Sequence, residues 1–410
     1  MLSGEEGEAP RLAMGIVVAV AAAMDAASLI DVASGHVDGC LFHGQASLDF
    51  AQRLAEAGAK VAIPTTLNVS SLDLLHPGRY RGDPGLAEKA RRLMDTYVGM
   101  GCRPTWTCAP YQLPARPAFG EQLAWAESNA IVFANSVLGA RTERYGDFID
   151  ICAAVTGRVP NAGLHRTENR RGQVLFRLVD VPEQLLIEDV LYPVLGHLVG
   201  TEAGVLVPVI EGLPPSANED RLKALGAAAA SSGGVALFHA VGVTPEAATL
   251  DEAFQGREPD RVVDVTPALL ASARDSLSTS RGSELSAVSL GTPHLSMAEF
   301  ETLVAVLEDR PFHPDVRVYV STGRDILTEA ESRGWVELLE RAGARMVVDT
   351  CTYISPILDP RERVVMTNSA KWAYYAPGNI GVQVVFGSLA ECVRSAYRGR
   401  VWRDPNLWPV

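Results

Sequence analysis

The stretch from Ala287 to Val348 constrains this chain most. AVSL at 287–290 is an apolar run that stops at Gly291-Thr292-Pro293. SMAEFETLVAVLE at 296–308 follows, with Phe300, Leu303, Val304 and Leu307 at helical spacing. VRVYV at 316–320 is a second strand, 326–342 a second helix, and 345–348 a third strand running into Asp349-Thr350-Cys351. Strand, helix, strand, helix, strand at this spacing predicts a parallel sheet with right-handed crossovers, so the fold class is α/β. Ligands of open α/β sheets bind beyond the carboxyl ends of the strands. The loops 291–294, 321–324 and 349–355 then face one crevice, and Cys351 lies in it. The first half shows the same alternation. KVAIP at 60–64 reads as a strand ending in Thr65-Thr66-Leu67-Asn68, and TWTC at 105–108 as one ending at Cys108.

The segment AWAESNAIVFANSVLGARTER, 124–144, reads as a helix through Leu138 with Gly139 as its stop. Ser128 and Asn135 are seven apart and share a face that is otherwise Ala, Ile, Phe and Val. A polar helix–helix contact would explain them; so would a helix that presents Glu127, Ser128 and Asn135 to a ligand. LAMGIVVAVAAAM at 12–24 is 13 residues, short of the ~20 that span a bilayer. It follows an acidic EEGE, not the basic start of an export signal, and reads as an Ala-rich buried helix. A cytoplasmic location is expected, with no membrane partner.

Net charge is −13 over 410 residues, and no Lys/Arg run exists, so a nucleic-acid surface is not expected. In a reducing compartment the six cysteines are thiols or metal ligands and not a disulfide frame. No CxxC occurs. Nor does the chain contain GxxxxGK[ST], GxGxxG after a strand, HExxH or GxSxG, which argues against phosphate cradling and serine hydrolysis. What remains is thiols at strand ends: a nucleophilic cysteine, or an iron–sulfur cluster. Cys40, Cys108 and Cys351 each lie in a polar, turn-like context. Cys152 and Cys392 read as helical packing residues, and Cys102 as part of a Gly-flanked turn. Cys40 sits between His36 and His43, which leaves a mononuclear metal open there.

Six segments carry a resemblance to a known family: TWTCAPY, AWAESNAIVFANSVLGARTER, VPNAGLHRTENR, LGTPHLSMAEF, VDTCTYISPI and TNSAKWAYYAPG. In this order they resemble the catalytic large subunit or domain of aconitase X, roughly from Val18 to Gly387. The resemblance implies an aconitase-like, multi-domain α/β fold with parallel sheets flanked by helices. It implies an iron–sulfur dehydratase, a cluster of the 2Fe–2S type being favoured, with Cys40, Cys108 and Cys351 as the ligand set. Two activities go with the family: dehydration of mevalonate 5-phosphate in an archaeal two-subunit branch, and of cis-3-hydroxy-L-proline in a bacterial branch. The archaeal branch usually has a cysteine before Pro-His, where this chain has Thr292, and lacks the HVDGC stretch. LGTPH together with HVDGC resembles the hydroxyproline branch.

The chemistry suits such a reaction. Hydroxide leaves poorly at neutral pH, and an iron with an open position can polarise it as a Lewis acid. The substrate carboxylate needs a positive partner, for which Lys371 is the candidate, beside Asn368 and Ser369. His36, Asn135 and His165 are expected as further catalytic contacts, and Thr66, Asn68, Glu127 and Ser128 as substrate-binding residues. The expected division is a catalytic region over 1–285 and a subdomain over 286–410 that carries Cys351 and Lys371. The family also uses a small swivel domain, thought to carry the proton-abstracting serine. No segment here resembles it, so a separate swivel subunit is the expected partner. A recruited scaffold with another biosynthetic reaction, or a non-catalytic iron–sulfur or interaction protein, are the alternatives.

Overall fold

The computed structural model describes residues 1–408. The segment that opens the sequence argument builds a five-stranded parallel sheet. Its order is 344–347, 317–322, 287–295, 364–367, 383–386. The α/β expectation is met, with helices on both sides: one apolar core gathers Phe300, Leu303 and Leu339, and another gathers Trp372, Ala373 and Phe386. A second parallel sheet has the order 65–67, 34–37, 123–125. A third has the order 239–240, 208–211, 174–178, 261–265 and is also parallel.

Local details depart from the sequence reading for physical reasons. The strand from Ala287 does not stop at Gly291 but runs to Leu295, buried throughout. It bends away from its neighbour after Leu290 and pairs again only at Leu295. The helix expected over 326–342 is two helices, Arg324–Ser332 and Trp335–Ala342. Gly334 divides them at φ 73°, a left-handed conformation that glycine adopts freely.

KVAIP is not a strand; the pairing falls on Thr65–Leu67. TWTC is not a strand either. Trp106 has φ 46°, which breaks an extended run, and the Thr105 hydroxyl donates to the Leu67 carbonyl instead. In the 124–138 segment the strand Leu123–Trp125 comes first, and the helix spans only Ser128–Ser136. Glu127 starts that helix by accepting from the Ala130 N–H. The N-terminal helix Glu8–Ala23 buries one face, Ala9, Ala13, Met14, Val17 and Ala21, and leaves Val18 exposed. Among the described residues no helix is long and apolar enough to cross a membrane.

Candidate metal centre and substrate pocket

The strand ends bring three loops together. Cys108 ends the TWTC loop, His294 lies near the end of the strand 287–295, and Cys351 follows the strand 344–347. One ligand atom of each lies within 4.8 Å of the others, and all three residues are buried. The His294 backbone N–H donates to Cys108 Sγ at 3.3 Å. Its ring Nε2 meets the Thr350 carbonyl at 3.2 Å, and Nδ1 meets Thr107 Oγ1 at 3.1 Å. A carbonyl can only accept, so Nε2 carries the proton and Nδ1 accepts from the hydroxyl. Burial pushes the imidazole down to about 4, and it is neutral. The Cys351 thiol is pushed well above its usual value, first by its hydrogen bond with Cys108 and then by burial.

Two further observations bear on what this cluster holds. The hydroxyls of Thr292 and Thr350 are buried and have no partner among the described residues. Buried polar groups normally find one. Two adjoining thiols with orphaned hydroxyls in the same loops fit an iron centre, which takes sulfur ligands readily. His294 already uses both ring nitrogens, so its contribution in this arrangement is the N–H to sulfur bond. It is also the residue of this group that sequence reasoning left out of the candidate set; the TPH at a strand end was its only signal.

Cys40 stands apart. It does not join the group, because the loop after the strand 34–37 turns it into the apolar core with Leu48, Tyr97 and Cys102. Its thiol donates to the carbonyls of Val37 (3.5 Å) and Asn68 (3.4 Å).

Lys371 lies within the helix Ala370–Ile380, which Ser369 caps through the Trp372 N–H. It is 5% exposed and is not a free cation: its Nζ donates to Glu127 Oε1 at 2.5 Å and lies 3.4 Å from Ser128 Oγ. Glu127 Oε2 accepts from the Asn129 amide (2.6 Å), which also donates to the Cys108 carbonyl. The ion pair and the thiols are therefore one connected network. Burial works against both charges, yet each partner outweighs it, holding Glu127 below its usual value and Lys371 well above. A small pocket adjoins Lys371, lined also by Asn368, Ser369, Thr292, Lys223 and Glu299 among others.

On the other side of Glu127 lies the sheet 65–67, 34–37, 123–125. His36 Nδ1 meets Thr66 Oγ1 at 2.8 Å, its Nε2 has no hydrogen-bond partner among the described residues, and burial pushes it down to about 4. The Asn68 amide donates to Asp38, whose carboxyl burial and the nearby Asp147 and Glu127 push up to about 7. Asp38 and Asn129 were not anticipated.

Two expected residues have other work. Asn135 bonds the Thr142 N–H and carbonyl, the Ala236 carbonyl and Arg170, so its amide is fully occupied as a structural clamp. His165 is held between Tyr145 Oη (2.6 Å) and Gln122 Oε1 (2.7 Å), and no hydrogen bond joins it to the cysteine loops.

Three family models cover the chain in succession: the aconitase X first domain matches residues 1–168, the second domain 172–275 and the third domain 285–398. The chain belongs to the aconitase X family. Cis-3-hydroxy-L-proline dehydratase of Pseudomonas aeruginosa is 45% identical over 404 residues, 98% of this aconitase X chain and 69% of the relative. Phosphomevalonate dehydratase large subunit of Methanosarcina mazei is 34% identical over 98% of this chain and 96% of its own. The crystal structure of Thermococcus kodakaraensis aconitase X, in its holo-form, superposes with a TM-score of 0.87 at 32% identity, covering 96% of this chain and 97% of that one.

Proposed function

We propose that this aconitase X chain is the large, iron-dependent part of a hydro-lyase that dehydrates cis-3-hydroxy-L-proline to Δ1-pyrroline-2-carboxylate. The observation that carries the substrate is the 45% identity, over 98% of the chain, to a dehydratase of that name. The buried thiols beside a charged pocket support the reaction type. Cys108 and Cys351 would hold an iron–sulfur centre, and His294 would steady the Cys108 sulfur. When bound, iron there supplies Lewis-acid polarisation of a leaving hydroxyl.

The chain's own residues do the rest. Lys371 takes the carboxylate. Thr292, Asn368 and Ser369 line the space for the ring, and Ser128 and Glu127 hold the lysine. His36, Thr66 and Asn68 are assigned to the substrate from the first sheet. In the elimination the proton leaves carbon 2, its electron pair forms the C2–C3 double bond, and hydroxide leaves carbon 3 as water. The enamine then shifts to the ring imine. The proton acceptor belongs to a swivel-domain partner, a separate small subunit. The protein works in the cytoplasm, where its thiols stay reduced.

A second reading, mevalonate 5-phosphate dehydratase large subunit, is favoured by the match to 96% of the length of such a subunit. One assay separates the two. The chain is co-expressed anaerobically with its swivel partner and offered both substrates. Pyrroline-2-carboxylate from hydroxyproline is expected; turnover of mevalonate 5-phosphate alone reverses the assignment.

A further inference from the structure

Glu127 and Lys371 are two buried charges that have only each other, and the substrate class they suit follows from that. Glu127 Oε2 is fixed by the Ala130 N–H at 2.7 Å and by the Asn129 amide. Its Oε1 meets only Lys371 Nζ and Ser128 Oγ, the latter at 3.3 Å. Lys371 lines the pocket, and Glu127, paired with it, does not. Lys371 has rotatable bonds along its whole stem; Glu127 is held at one oxygen and cannot follow it.

We propose that the pair opens to take a zwitterion, and that Glu127 is the residue that selects an α-amino acid over a hydroxy acid. Lys371 swings to the substrate carboxylate. The substrate's secondary ammonium replaces it at Glu127 Oε1. Both groups of a cyclic amino acid sit on the same carbon, so one molecule reaches both partners. Both members of the pair have an opposite partner before and after the exchange, and the net charge of the site is unchanged. A ligand with a carboxylate or phosphate and no ammonium takes the lysine and strands the glutamate, which low-dielectric surroundings penalise. This deepens the hydroxyproline reading and rests on it.

The test uses two inhibitors of one shape on the anaerobically purified protein with its swivel partner. L-Proline carries both charges, and tetrahydrofuran-2-carboxylate lacks the ammonium. Wild type should bind proline at least tenfold more tightly, and Glu127→Gln should erase or invert that preference while the iron spectrum is kept. Equal binding of the two by wild type, with hydroxyproline still turned over, overturns the exchange and leaves the hydroxyproline reading standing. A preference that survives Glu127→Gln overturns the role of Glu127. Turnover of mevalonate 5-phosphate and none of hydroxyproline overturns both. Should Glu127→Gln fail to fold, Glu127→Asp takes its place: the shorter carboxylate should weaken the preference for proline, and an unchanged preference overturns the role of Glu127.

Discussion

Lys371 and Glu127 are each 5% exposed at the side chain, so removing one leaves the other charged and dry. Lys371→Met should cost about 3–5 kcal/mol of stability in urea unfolding, and adding Glu127→Gln should recover part of it. The cysteines give a second residue-scale test. Iron per chain should fall to near zero in Cys108→Ala and Cys351→Ala and stay at the wild-type level in Cys40→Ala and Cys152→Ala. Loss of iron from Cys40→Ala would restore that thiol to the centre. Cys108 and Cys351 were legible because both end a Thr-Cys step before a proline. Cys40 shares that polar look, but the fold uses its sulfur against carbonyls, a choice no local pattern encodes. The partner of Lys371 was equally hidden, since 244 residues separate it from Glu127.

Short elements were the least legible. The strands 34–37, 65–67 and 123–125 have three or four residues each, too few for an alternation to declare itself. The strand 287–295 was found but cut at Gly291, where φ is 88° and a Cβ would stand 2.1 Å from the Ser321 carbonyl oxygen. Gly291→Ala should therefore cost several kcal/mol, about 3 or more in urea unfolding, and lower iron content as residues 292–294 move. The turn Gly163–His165 gives a pH test. Burial holds His165 down at about 4 against an ordinary 6.5. Between those values the unfolded chain binds the proton first, so this contribution is whole above pH 6.5 and is lost as pH falls toward 4. Urea midpoints at pH 7.5 and 5 should differ less in His165→Asn than in wild type, by at most about 2 kcal/mol in the underlying free energy.

At the scale of the molecule, the carboxyl ends of two parallel sheets meet over the thiols. One sheet brings His36, Asn68 and Glu127; the other brings His294, Cys351 and Lys371. The α/β class and the binding edge of the second sheet were legible because apolar runs and helices alternate there in order. That the first sheet would face it was not, because nothing local in a sequence says which edges dock. Arg170 ties the first region to the next: its guanidinium reaches Glu246, Asn135 and the carbonyls of Ala140 and Leu164 while 1% exposed. Arg170→Met should destabilise the chain by about 3–5 kcal/mol in urea unfolding, by stranding those acceptors. The separation of Glu127 from Lys371 also sets a clock. A ribosome adds about 5–20 residues per second, so the lysine emerges on the order of 12–50 s after the glutamate. For that interval Glu127 has no counter-ion and Cys108 no second thiol, and the site is among the last parts of the protein to come into being.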